Sequence, residues 1–123
     1  MVLDEITRCR PWITDALEYA NGTHLFDDVA AMIVAGQLQL WPAPRGCLVT
    51  EIVTYPRKRI FNVFLAGGEL DQLLDMHEDM KRWAKAQGCT VATLHGRRGW
   101  TRTLAENGWR ETLTTMERDL SHV

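Results

Sequence analysis

Between Ile60 and Trp109 the spacing of apolar residues changes from strand-like to helix-like and back, and glycines mark the changes. Ile60, Phe61, Val63, Phe64 and Leu65 form a short run of strand formers stopped by Gly67-Gly68, the pattern of a strand buried on both faces. Leu70, Leu73, Leu74, Met80, Trp83 and Ala84 then recur at the three-and-four spacing that lines one side of a helix. Glu69, Asp71 and Asp75 come early in that helix and Lys81, Arg82 and Lys85 come late, which complements its dipole. Gly88 is placed to close it in the left-handed conformation. Cys89 to Leu94 reads as a second strand, and strand, helix and strand in this order predict two parallel strands joined by a right-handed crossover. A short helix around Trp100 to Asn107 and a closing strand over Arg110 to Leu120 complete the stretch.

The preceding half supplies helices and then a meander. Pro11 suits a first helical turn, and Trp12, Ile13, Ala16, Leu17 and Ala20 follow helical spacing until Asn21-Gly22. Residues 2–8, where Leu3 and Ile6 alternate weakly with charged neighbours, are open to a strand or to another structure. Thr23 is a candidate cap for a second helix carrying Leu25, Phe26, Val29, Ala30, Met32 and Ile33, with Gly36 as its stop. Gln37–Trp41 reads as a strand, Pro42 to Gly46 as a turn, Cys47–Tyr55 as a β-branched strand with Glu51 inside it, and Pro56 to Arg59 as the next turn. The expectation is one α/β (α+β) domain: residues 1–36 helical, 37–66 an antiparallel meander, and 67–123 helix, strand, helix, strand. Its sheet is mixed, with helices on both faces.

Composition narrows the function classes. A formal charge of −2 over 123 residues gives no bulk attraction to nucleic acid or to an anionic membrane. No apolar run approaches the roughly 20 residues needed to cross a bilayer, and the acidic start is unlike a secretion signal, so a cytoplasmic protein is expected. Cys9, Cys47 and Cys89 lack metal-ligand spacing, so buried reduced thiols and no metal are expected.

The order of elements, two helices, meander, long helix, strand, short helix and last strand, resembles the GNAT N-acetyltransferase superfamily over roughly residues 27–120. Glu106-Asn107-Gly108-Trp109 is similar to that family's helix end followed by glycine and an aromatic, and Met116 to Leu120 is similar to its closing strand. Gln39-Leu40-Trp41-Pro42, Tyr55-Pro56-Arg57, Phe64 to Gly68 and Gly96-Arg97-Arg98-Gly99-Trp100 resemble small GNAT-like proteins encoded by bacteriophages and prophages. The resemblance implies acetyl-CoA along the central strand, its pyrophosphate held by backbone N–H groups at the start of the long helix, where donors are unpaired. Leu65, Gly67 and Gly68 are the positions implied for it. The chain departs from the family's pyrophosphate loop, and Glu69 and Asp71 bring negative charge to that turn. The family's tyrosine acid, four residues before the glycine-aromatic pair, corresponds to Leu104, which has no proton to give.

The residues themselves offer further candidates. Glu51 is a candidate general base and Asn62 could orient a water; a solvated strand charge is the commoner role for such a Glu51. His77 reads as a core-edge histidine or a binding residue. Arg97 and Arg98, after a parallel strand and before a helix, stand where open α/β sheets hold ligands and could grip a phosphate, a carboxylate or an acidic partner. Three functions follow as expectations. The first is a catalytically degenerate binding or virion-associated structural module. The second is an acetyltransferase acting on a small amine, and the third an inhibitor or adaptor docking on a host protein. A protein partner or self-association is expected, in the host cytoplasm or the virion.

Overall fold

The computed structural model describes residues 2–96 and 98–122, and of Arg98 the backbone only. Helix α1 (Val2–Leu17) and helix α2 (Phe26–Val34) precede strands β1 (Gln39–Ala43), β2 (Gly46–Thr54) and β3 (Arg59–Gly68). Helices α3 (Leu70–Asp75) and α4 (His77–Ala86), strand β4 (Val91–Leu94), a 3-10 turn (Arg98–Trp100) and helix α5 (Thr101–Glu106) follow. The sheet runs β1-β2-β3-β4, antiparallel in its first two pairings and parallel between β3 and β4. This is the mixed α/β sheet with a crossover that the alternation of spacings predicts.

Several boundaries differ from expectation, each for a local reason. Residues 2–8 are helical, because Ile6, Cys9, Ile13 and Ala16 share one buried stripe that only a continuous helix can form. Pro11 therefore lies inside α1, not in a first turn. Thr23 does not cap α2: its hydroxyl engages His24 Nδ1 at 2.7 Å, while Leu25 is the N-cap and its N–H donates to the Asp28 carboxylate. Pro42 belongs to β1, where an edge strand tolerates its missing N–H. The long helix tightens at Met76, whose N–H donates to Leu73 O at 3.3 Å, dividing α3 from α4. Gly88 closes α4 as expected, at φ +86° with Cys89 N–H donating to Ala84 O, so β4 starts only at Val91. Residues 110–120 form no strand; they are exposed, and no strand lies beyond β4 to pair with them among the described residues.

Two cores flank the sheet. On one face α1 and α2 pack Cys9, Ile13 and Val29 against Cys47, Val49 and Leu65. On the other, α3 and α4 pack Leu73, Met80 and Ala84 against Leu48, Phe61 and Val63. Trp41, Phe61 and Trp83 meet there edge to face, with centroids 5.7 to 6.3 Å apart. A register shift serves both cores at once. Val49 pairs with Leu65 but Thr50 with Val63, which leaves Phe64 as an extra residue bulged out of β3. Phe61 and Val63 therefore face α4, whereas Leu65, two residues on, faces α1.

Candidate functional site

The bulge at Phe64 coincides with the end of the parallel ladder. β3 and β4 pair only from Ile60–Val91 to Val63–Leu94, after which β3 continues to Gly68 and the chain leaves β4 through His95 and Gly96. The sheet thus splits at the carboxyl ends of its two parallel strands, the place where open α/β sheets form crevices. On the α3 and α4 face the split opens into a narrow apolar cleft of about 30 Å³. Leu48, Val63 and Ala66 line its sheet side; Leu73, Leu74 and His77 one wall; Trp100, Leu104 and Trp109 the other.

On the opposite face a polar row crosses three strands. Register places Glu51 opposite Asn62 and Asn62 opposite Thr93. Asn62 Nδ2 donates to Glu51 Oε2 at 2.9 Å, and Thr93 Oγ1 donates to Asn62 Oδ1 at 2.8 Å. Asn62 is buried while Glu51 and Thr93 are half-buried, so the amide holds the carboxylate in one orientation at the edge of the core. The two candidates, Glu51 and Asn62, are thus one hydrogen-bonded unit. Thr93 was not singled out from the sequence, although a parallel register between the two strands carries the signal. Beside the row the ring of His24, from the α1–α2 connection, packs edge-on against Phe64 at 4.9 Å between centroids.

At the start of α3 the surroundings are made by protein. Leu65 is buried in the α1 core, so only its backbone is available to a ligand. A β-carbon on Gly67 would run into the backbone carbonyl of Trp12 in α1, and one on Gly68, at φ +100°, would run into Arg45 and Gly46. The β1–β2 hairpin tip covers this turn. Glu69 N–H donates to Arg45 O at 3.0 Å, Arg45 N–H donates to Gln72 Oε1 at 3.0 Å, and Arg45 Nε meets Glu69 Oε2 at 2.7 Å. The Glu69 carboxylate beside it raises the Arg45 pKa above its ordinary value. Negative charge and a protein loop therefore stand where the diphosphate of a cofactor is expected; the residues present do not fit that group.

Arg97 is outside the described residues, as is the side chain of Arg98, whose backbone opens the 3-10 turn before α5. His77 accepts a hydrogen bond at Nε2 from Trp109 Nε1 at 3.2 Å, which requires a neutral ring with its proton on Nδ1. Burial lowers its pKa and nearby Lys81 adds to this, opposed by Glu78. Trp109 is delivered to His77 by the close of α5: Gly108 takes φ +92° and Trp109 N–H donates to Leu104 O at 3.0 Å. No group of three or more His, Cys, Asp or Glu among the described residues could hold a metal. None of their helices is long and apolar enough to cross a membrane.

No protein-family model matches the sequence, and no curated protein matches it significantly. Solved structures do match. An acetyltransferase of Trypanosoma brucei superposes with a TM-score of 0.60 at 14% identity, over 77% of this chain and 78% of its own. A tetramutant of a Bacillus halodurans protein superposes with a TM-score of 0.64 at 16% identity, over 98% of this chain and 96% of its own. With the split mixed sheet and the helices on its two faces, these likenesses establish the architecture: the chain has a GNAT-like fold.

Proposed function

We propose that the chain uses the GNAT-like fold as a binding or structural module and not as an acetyl-transferring enzyme. The observation that carries this reading is the contact of Arg45 with Glu69 and Gln72 over the start of α3. A diphosphate seated there would have to displace the hairpin tip and then face the like charge of Glu69 and Asp71. Leu104 supports the same reading, because it puts an apolar side chain into the cleft at the position where an acid would serve a leaving thiolate. The resemblance of short segments to phage-encoded GNAT-like proteins supports a setting in a virus particle or in phage takeover of a host. An adaptor docking on a host protein is one form that such a module takes.

Acetyl transfer to an amine is the second reading, favoured by the Glu51, Asn62 and Thr93 row beside the split in the sheet. Bound acetyl-CoA would supply the acyl group. Of this chain's own groups, Glu51 would take the proton of an ammonium at Oε1 or through a water, with Asn62 fixing the carboxylate by its bond to Oε2.

Calorimetric titration with acetyl-CoA separates the two. The expected result is no saturable heat from folded protein. Saturable micromolar binding, weakened by Leu104→Glu in the cleft wall, overturns the binding-module reading, and loss of turnover in Glu51→Gln then supports the enzyme.

A further inference from the structure

We infer that the tip of the β2–β3 hairpin is a binding surface for single-stranded nucleic acid. The inference goes beyond the reading of the cleft, because the tip lies at the other end of β3 from Gly67 and Gly68, roughly 30 Å away at about 3.3 Å per residue.

Register makes this hairpin project. β1 pairs with β2 only as far as Gln39–Thr50, and β4 joins β3 only from Ile60–Val91, so Thr54, Arg59 and the turn between them stand beyond both neighbouring strands. Tyr55 N–H donates to Lys58 O at 2.8 Å, which closes the turn and sets Tyr55 and Lys58 across from one another, with Arg57 at the tip. One step inward, Arg59 pairs with Thr54 and its side chain passes beside Gly88, where α4 ends; Lys85 is in the last turn of that helix.

A formal charge of −2 conceals a separation of charge along the molecule. Residues 52–68 and 80–105 contain no Asp or Glu. Arg8, Arg45, Lys81 and Arg82 each meet a carboxylate. The side chains of Arg57, Lys58, Arg59 and Lys85 meet none among the described residues, and the Nε of Arg59 is buried without any acceptor. The carboxylate nearest along the hairpin is Glu51, three residues inside Thr54 and already held by Asn62. That separation is about 10 Å, a Debye length at moderate salt, so the cations keep a local positive field.

Tyr55 selects the class of partner. Its side chain is 53% exposed, and as the residue opposite Lys58 it shares that residue's face of the hairpin. An aromatic face beside a cation takes an unpaired base together with the phosphate next to it. An acidic peptide offers carboxylates to the cations and leaves the ring unused. In a duplex the bases are stacked on one another and closed to the ring, which leaves a single strand.

The test is fluorescence anisotropy of a labelled oligothymidylate of about ten nucleotides, titrated with the full chain at a series of salt concentrations. The expected result is saturable binding that weakens with salt. Each phosphate contacted contributes about 0.7 to the slope of log affinity against log salt, so the double change Arg57→Gln, Lys58→Gln should flatten that slope by about 1.4 and lower affinity at least about tenfold at low salt. Tyr55→Ala should lower affinity about tenfold and leave the slope unchanged. These side chains are exposed, so circular dichroism should not change. Amide chemical shifts of the native chain give a reading that needs no variant: oligothymidylate should move residues 54–59 and leave residues 65–70 in place. Absence of saturable binding, binding that survives both variants, or shifts confined to residues outside the hairpin each overturns the proposal. Equal or tighter binding of a glutamate oligomer of the same charge overturns it in favour of an acidic protein surface, and preference for a duplex overturns the single strand.

Discussion

Gly67 of β3 lies directly beneath the backbone of Trp12 in α1, close enough that a β-carbon would collide with the Trp12 carbonyl oxygen. The glycine is thus a packing requirement between a helix and the central strand. Gly67→Ala is expected to destabilise the domain by about 1–3 kcal/mol, because the obstacle is backbone and cannot rotate away. Gly99→Ala, where a β-carbon meets open space, should shift stability by less than about 0.5 kcal/mol. Urea unfolding of the two variants makes the comparison, and equal effects would show that α1 does not press on the strand.

Asn62 is the middle of a three-strand polar row, so its removal strands two partners. Asn62→Ala is expected to cost about 1–3 kcal/mol, the penalty for leaving polar groups at the edge of the core unpaired. Asn62→Asp would put a second carboxylate against Glu51. Like charge raises a folded-state carboxylate pKa above its unfolded value, so this loss is greatest at neutral pH and shrinks as the pH falls through roughly 5 to 4. Thermal melts across that range check the sign.

His77 couples stability to pH in the opposite direction. Its folded pKa is lowered by burial from the ordinary 6.5, so between the two values the unfolded chain holds more protons. The contribution is fully present above about pH 6.5 and is lost as the pH falls toward the lowered folded value. Protonation of Nε2 also ends its role as acceptor for Trp109. His77→Gln should flatten the stability profile just below neutrality, read as denaturant midpoints at a series of pH values.

Thiol labelling probes the other core. Burial raises the pKa of both Cys9 and Cys47, far above the ordinary range for Cys47, and the two thiols belong to the same core. Cys89 is buried as well. A thiolate is the reactive form, so none of the three should be modified in the folded protein, and labelling should follow the unfolding rate. Rapid modification of Cys47 under native conditions would mean that α1 lifts off β2.

The order and kind of the central elements were legible because their spacing changes sharply: Phe61 to Leu65 as a strand and Leu70 to Ala84 as a helical face both survive in the fold. Glu51 and Asn62 were legible as polar residues within apolar strands, but their contact depends on a register that no local pattern states. The role of Gly67 was hidden for a related reason. A glycine before a helix looks the same whether the space beside it awaits a phosphate or is filled by Trp12 from a segment far away in sequence. The closing strand was read from its place after the short helix and from a resemblance at Met116 to Leu120, but strand structure needs a neighbour, and residues 110–120 have none among the described residues.

The extra residue at Phe64 has a bearing on how such a sequence can change over time. It puts Phe64 and Leu65 in succession on the α1 and α2 face, while Val63 before them and Ala66 after them pack on the α3 and α4 face. Point substitutions on either side can drift separately. Deletion of Phe64 would leave Val63 and Leu65 adjacent, with Leu65 still toward α1 and Ala66 still toward α4, so the ladder would become regular and lose only the side chain that packs against His24. The count at this position can therefore fall by one without turning either core inside out, and relatives of this chain should include some whose strand runs without the extra residue.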